Sequence, residues 1–185
     1  MTPRPPLIAA AAILALLCGC SSTPATRYYV LSPTAEAPAR RAAAVVVVIT
    51  DVRLPQYLDR SRIVTRGGDH RLQVSENELW AGNLREDMTR VLAENLGRQP
   101  DYRVEVEVLR FEREPGGRVG LSARWWLTRG SDAALLASPG ATLFGAPLGE
   151  NAPYEALVAS MSSVYGELAQ AIARSIRSRE AGSSG

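Results

Sequence analysis

The sequence is poor in the residues that most often carry chemistry. Among its 185 residues there are no lysines, one histidine and two cysteines. A Ser-His-Asp triad would need His70, which follows Gly67-Gly68-Asp69 in a segment typical of a turn. A zinc site would need a histidine pair or a thiolate cluster, and neither is present. We therefore expect a protein that is not an enzyme and that uses no metal and no cofactor.

An excess of charge of one sign is also missing. The 21 basic residues, all arginine, stand against 19 acidic residues, which gives a net charge of +2. The arginines are interleaved with Asp and Glu instead of forming one basic stripe. This balance argues against a nucleic-acid partner.

No apolar run is long enough to span a bilayer. The N-terminal run, residues 7–17, has 11 residues, whereas a spanning helix needs about 20. Its length, the single cation Arg4 before it and the small residues after it are typical of a secretory signal. The sequence therefore predicts export.

The exit of this signal contains Leu17-Cys18-Gly19-Cys20, which matches the lipobox of bacterial lipoproteins. The match implies cleavage before Cys20, a thioether to diacylglycerol on its sulfur, and acylation of the new amino terminus. Several acyl chains, at about 0.8 kcal/mol per buried CH₂, anchor a protein stably. The alternative is an ordinary signal peptide followed by a chance cysteine. In enterobacterial lipoproteins an Asp after the cysteine favours the inner membrane, so Ser21 points to the outer membrane.

Cleavage before Cys20 would leave 185 − 19 = 166 residues with a net charge of 20 − 19 = +1 and no free thiol. That length is enough for one domain with a hydrophobic core. We predict four segments: a signal peptide at 1–19, a lipidated tether at 20–26, a folded domain at 27–178 and a flexible tail at 179–185.

Hydrophobic patterning predicts an α+β fold. Strands are predicted at residues 27–31, 45–54, 63–65, 71–74, 102–108, 119–127 and 141–148. Residues 76–96 and 153–177 carry apolar side chains at helical spacing. We expect a single mixed domain, an antiparallel-rich sheet packed by two principal amphipathic helices, preceded by the lipoprotein signal peptide.

A capping box predicts the start of the first helix. Ser75 and Glu78 stand three residues apart, the spacing at which each side chain caps the other's backbone amide. Trp80 and Leu84 then share one apolar stripe, which indicates a core face; a ligand-binding wall is the alternative. Gly97 is placed to end the helix.

Trp125 and Trp126 are neighbours on a predicted strand, so their side chains point to opposite faces of the sheet. A loop over residues 114–117 pairs Arg113 with Arg118 and gives both strands a consistent inner face. Trp125 then enters the core, and Trp126 lies on the outer face.

The predicted outer face combines aromatic, apolar and charged residues. Trp126 lies opposite Glu105, and Leu109 and Phe111 follow on the same face towards the turn. Mixed surfaces of this kind are typical of protein interfaces. We predict that Trp126, Leu109 and Phe111 form a self-association or partner surface. The alternative is a loop or the C-terminal helix folded over Trp126.

The order of these segments resembles the PqiC-type auxiliary lipoproteins of ABC-type lipid transport systems. The resemblance rests on the lipobox, Tyr28-Tyr29-Val30-Leu31, the valine-rich strand, the small hairpin, Glu78-Leu79-Trp80-Ala81 and Leu92-Ala93-Glu94-Asn95-Leu96. Such proteins are partners of MCE-domain proteins, which carry lipids between the two membranes of Gram-negative bacteria. The resemblance implies one α+β domain, ring-like homo-oligomers and no enzymatic site, and it assigns a chemical role only to Cys20.

The leading hypothesis is a non-enzymatic outer-membrane lipoprotein that faces the periplasm and docks or extends an MCE-type transport assembly. The ATPase, permease and MCE chains would be separate partners. An alternative is a stand-alone lipoprotein that carries a phospholipid, with the helical stripes lining a hollow. A third hypothesis, a hydrolase, needs His70 within reach of a serine and an acid.

Overall fold

The computed structural model describes residues 24–34, 48–97, 102–130, 132–137 and 139–183. In these residues the chain forms eight strands and two helices. They are β1 (Arg27–Tyr29), β2 (Val48–Arg53), β3 (Arg62–Gly68), β4 (Arg71–Trp80), α1 (Leu84–Leu96), β5 (Tyr102–Arg113), β6 (Val119–Arg129), β7 (Asp132–Ala137), β8 (Gly140–Phe144) and α2 (Tyr154–Ser183). The predicted signal peptide, Cys20 and residues 45–47 of the predicted second strand lie outside the described residues.

The long antiparallel pair β5 and β6 forms the centre of the sheet. β2 lies parallel to the first half of β5, and β3 meets its far end where Thr65 pairs with Arg113. β7 and β8 share the other edge of β6, both antiparallel to it. β4 is antiparallel to β3, and β1 adds to β4 in parallel. The predicted α+β class, a mixed sheet with two principal helices, is confirmed.

Both helices pack on one face of this sheet. Their apolar stripes and the inner side chains of β5 and β6 belong to one buried cluster. Tyr165 links the layers: its hydroxyl donates to the Met88 carbonyl oxygen at 3.1 Å, and its ring centroid lies 5.9 Å from that of Phe111. Burial raises the pKa of Tyr165. Each large apolar side chain buried in this way stabilises the fold by about 1.5–3 kcal/mol.

The first helix begins later than predicted. Ser75 and Glu78 lie in β4, so they do not form a capping box, and Trp80 ends that strand instead of lying on the helix. Asn83 is the N-cap, its side-chain oxygen accepting from the backbone amides of residues 85 and 86 at 2.9 and 3.3 Å. Trp80 is nevertheless only 4% exposed, so its predicted place in the core is confirmed.

The end of that helix is as predicted. Gly97 has φ +64°, and its amide donates to the Ala93 carbonyl oxygen at 3.0 Å. A positive φ suits glycine because it has no Cβ.

A β-bulge moves one predicted interface residue into the core. β5 and β6 pair in the predicted register over the first half of β5, but Leu109 is an extra residue, so Arg113 pairs with Val119 and not with Arg118. One inserted residue reverses the faces of all residues that follow it. Phe111 is therefore 0% exposed on the inner face, and its predicted position on the outer face is wrong.

Three further differences concern element bounds. β7 was not predicted from the sequence, and β8 ends at Phe144, earlier than the predicted strand. Helix α2 continues past Arg177 to Ser183, into the segment predicted as a tail. No helix within the described residues has the length and apolar character to cross a bilayer.

Candidate functional site

The described chain starts at Pro24, close after the predicted lipidation site Cys20. Cys20 itself lies outside the described residues, and its acylation stays a prediction. What the structure shows is how the chain that follows this cysteine is attached to the domain. Two sets of contacts hold it, one at β1 and one at residues 31–34.

The first set of contacts joins β1 to β4. Arg27 lies opposite Glu78, and its Nε donates to both carboxylate oxygens at 3.0 and 3.1 Å, while its Nη2 makes a further short contact. The Tyr29 hydroxyl donates to the same carboxylate at 2.7 Å. The hydrogen bonds from Arg27, above all, hold the pKa of Glu78 below its ordinary value. Glu78 is only 6% exposed, so a nearly buried carboxylate of β4 holds β1 in place.

Tyr29 responds to the same neighbours. Burial raises the pKa of its phenol, and the hydrogen bond to the Glu78 carboxylate raises it further. Both effects favour the protonated hydroxyl, the form that donates to the carboxylate.

The second set of contacts holds residues 31–34 between the two helices. From α1, Asp87 accepts from the Leu31 amide at 3.2 Å and Asn95 from the Thr34 amide at 3.0 Å. From α2, Ser162 accepts from the backbone amide of residue 32 at 3.1 Å. Side chains of both helices thus accept from three backbone amides of this segment. The Leu31 side chain is 1% exposed, which adds a hydrophobic contact to the same segment.

A groove runs beside β1, in two adjoining parts of about 720 and 550 Å³. Both parts are lined by Tyr28, Tyr29 and Glu155. The larger part has charged walls, including Arg27 and Arg113.

The lining of the groove changes from polar to apolar along its length. The Arg113 guanidinium lies 5.6 Å from the Tyr154 ring centroid and donates to the Ala152 carbonyl oxygen at 3.2 Å. The smaller part is lined by Val30, Pro33 and apolar residues of α2. The groove can therefore take an amphipathic surface.

The predicted interface residues lie on the opposite side of the sheet from the helices, apart from Phe111. Trp126 is half-buried, and the Arg53 guanidinium lies 5.1 Å from its ring centroid. Arg53 also reaches Glu105 at 3.4 Å, and Leu109 is 40% exposed. Helix α2 packs on the other face, so the alternative in which it covers Trp126 is wrong.

Sequence reasoning missed one aromatic residue of this outer face. Phe144 is 41% exposed opposite Gly120, and the Arg118 guanidinium lies 4.1 Å from its ring centroid. The alternation along β8, with Ala141 and Leu143 packed on the core, could have indicated it.

A buried ion pair elsewhere in the domain is saturated with partners. The Glu112 carboxylate, with a 0% exposed side chain, accepts from Arg66 at 2.8 and 2.9 Å and from the Tyr57 hydroxyl at 2.8 Å. It also accepts from the Phe111 amide at 3.0 Å. Burial, followed by the bond to Glu112, raises the pKa of Tyr57. Because every group is paired, we assign this cluster a structural role.

The hydrolase hypothesis gains no support from the geometry. His70 is exposed in the turn between β3 and β4. Within the ranges that the structure describes, no group of three acidic, histidine or cysteine side chains is placed to hold a metal ion.

Comparison with known proteins identifies the class. The family model of the ABC-type transport auxiliary lipoprotein component matches residues 29–173. A crystal structure of an uncharacterized protein is similar at 22% identity and a TM-score of 0.69, covering 83% of this chain and 99% of its own. Protein XCC0632 from Xanthomonas campestris, of family DUF330, is similar at 17% identity and a TM-score of 0.68, covering 86% and 100%. No curated protein matches the sequence.

Fold and family match together define a lipoprotein with one α+β domain, a class of membrane-anchored bacterial proteins. The chain belongs to the family of ABC-type transport auxiliary lipoprotein components, which confirms the resemblance to PqiC-type lipoproteins.

Proposed function

We propose that the chain is a non-enzymatic outer-membrane lipoprotein that faces the periplasm and docks or extends an MCE-type ABC lipid transport assembly. The observation that carries the proposal is the attachment of residues 27–34 to the domain directly after the predicted tether. A domain attached in this way stays beside the membrane that holds Cys20. Membership in the transport auxiliary family supplies the link to an ABC system.

The packing of the helices favours docking over carriage of a lipid. The stand-alone carrier requires the helical stripes to line a hollow. Instead Met88, Val91, Leu168 and Ile172, each 0% exposed, pack in one cluster with the sheet. A domain whose helical stripes pack against its sheet suits a component that positions other chains.

The outer face of the sheet is the proposed contact surface for a second copy or for an MCE-domain chain. It presents Trp126, Leu109 and Phe144 among charged residues, and both helices lie on the other side. Aromatic residues beside arginine are enriched at interface hot spots. Ring-like homo-oligomers would use this face.

Copurification from native membranes tests the proposal. We expect the tagged full-length chain to fractionate with the outer membrane and to retain an MCE-domain chain and its permease. Cys20→Ala should abolish the outer-membrane fraction. An acylated chain that sits in the inner membrane, or that retains no MCE-domain chain, would contradict the proposal. If the monomeric protein without its acyl anchor copurifies with one phospholipid per chain, the result would favour the carrier instead.

A further inference from the structure

We infer that the surface around β1 contacts the lipid headgroups of the membrane that holds the anchor. We call this surface the β1 edge and define it by Tyr28 and Val30. The inference rests on the proposed function, because it needs acylation at Cys20. It adds an orientation: one defined side of the domain faces the bilayer.

The β1 edge exposes an aromatic and an aliphatic side chain together. Tyr28 is 65% exposed and Val30 is 51% exposed, and side chains two residues apart along an extended chain point to the same side. Tyrosine is enriched at membrane–water interfaces, where its ring meets the acyl boundary and its hydroxyl stays among the headgroups.

The length of chain before β1 limits where this edge can lie. From Cys20 to Tyr28 there are 28 − 20 = 8 residues, which span at most about 28 Å when fully extended and about 15 Å as a flexible coil. A domain of this size is about 40 Å across. The tether is therefore too short for the domain to turn β1 to the side away from the membrane.

The attachment of the edge prevents the tether from lengthening by local unfolding. Arg27 is held by Glu78, and residues 31–34 are held by side chains of both helices. Peeling β1 away would break these bonds and leave the nearly buried Glu78 carboxylate without its arginine. The domain therefore keeps its short distance from Cys20.

The charges of the groove predict the kind of contact. Arg27 and Arg113 are accompanied by Glu150 and Glu155 in the same lining, so the surface has no excess of positive charge. Attraction to anionic lipids by a basic cluster would weaken with salt. The contact proposed here uses an aromatic and an aliphatic side chain, so we expect it to persist at high salt.

Site-specific labelling of the acylated chain tests the inference. If Cys20 is acylated, a cysteine introduced elsewhere is the only free thiol of the mature chain. We would label Tyr28→Cys and Val30→Cys with a fluorophore, using Leu72→Cys as the matched control. Leu72, 36% exposed, lies on β4 seven residues from the partner of Tyr28, Leu79, or about 23 Å along the strand. Each protein would be reconstituted in phosphatidylethanolamine–phosphatidylglycerol vesicles with chain-brominated lipids.

We expect bromine quenching at residues 28 and 30 to be at least about twofold stronger than at residue 72, at both low and high salt. Equal quenching at all three positions, or stronger quenching at residue 72, would overturn the inference while leaving acylation intact. If the labels at residues 28 and 30 are buried against a second copy of the chain and brominated lipid does not quench them, the inference is overturned too. An intact mass without acyl chains would overturn the proposed function, and with it the inference.

Discussion

Removing one partner of the buried ion pair should cost much of the domain's stability. The Glu112 side chain is 0% exposed and that of Arg66 is 22% exposed, so Arg66→Met leaves a buried carboxylate without its cation. Breaking a buried pair in this way typically costs about 3–5 kcal/mol. The bonds from the Tyr57 hydroxyl and the Phe111 amide remain, so we expect the lower end of that range.

A double variant separates the charge from the packing. Arg66→Met with Glu112→Gln removes both charges and keeps a side-chain oxygen that can accept from the Tyr57 hydroxyl and the Phe111 amide, which donate to the same carboxylate oxygen. Only the new amide NH2 is left without a partner, a loss of about 1–3 kcal/mol. Urea unfolding of the unacylated Cys20→Ser chain would measure all variants. Arg71→Met, at an exposed arginine near the β3–β4 turn, should stay within about 0.5 kcal/mol of the parent. An unfolding free energy for Arg66→Met within about 1 kcal/mol of the parent's, or a double variant less stable than the single one, would contradict a cost from the unpaired buried charge.

Three further predictions concern the core, the β1 cluster and the outer face. Trp80→Ala should lower the free energy of unfolding by about 3–5 kcal/mol, measured in urea; an unchanged stability with lost function would make Trp80 a binding residue. Hydrogen bonds, mainly from Arg27, lower the pKa of Glu78 in the folded protein. The ionised carboxylate therefore stabilises the fold at pH values above its unfolded-state pKa, and this stabilisation is lost as the pH falls through the lower folded-state pKa. Glu78→Gln should therefore be less stable than the parent at pH 7, with the gap closing at acidic pH; a gap independent of pH would contradict this. Trp126→Glu should leave a folded domain of smaller size in light scattering, whereas an unfolded variant would make Trp126 a core residue and an unchanged size would place the interface elsewhere.

Local patterns predicted the two helices and the central strand pair because each of those elements has a regular apolar period. Trp126 pairs with Glu105 as predicted, since alternation fixes the register wherever one face is buried. The same rule failed at Phe111. The apolar positions change from even to odd numbers at Leu109, and without the bulge this change predicts a second apolar face instead of a continued inner face.

The start of α1 was mispredicted because a distant contact decided it. Ser75 and Glu78 have the spacing of a capping box, but Glu78 pairs with Arg27, 51 residues away, and β4 continues through it. The side chains that hold residues 31 and 32 lie 56 and 130 residues further along the chain. Sequence periodicity does not report contacts at such separations, so the attachment of the tether and the groove beside it emerged only from the fold.

We propose that the domain is attached to a membrane through Cys20. The most direct test is the intact mass of the mature chain extracted from membranes. We expect a chain that begins at Cys20 and carries a diacylglyceryl group and an N-terminal acyl chain, with all acyl labelling lost in Cys20→Ala. Acyl labelling that survives Cys20→Ala, or a mature chain without acyl groups, would contradict the claim.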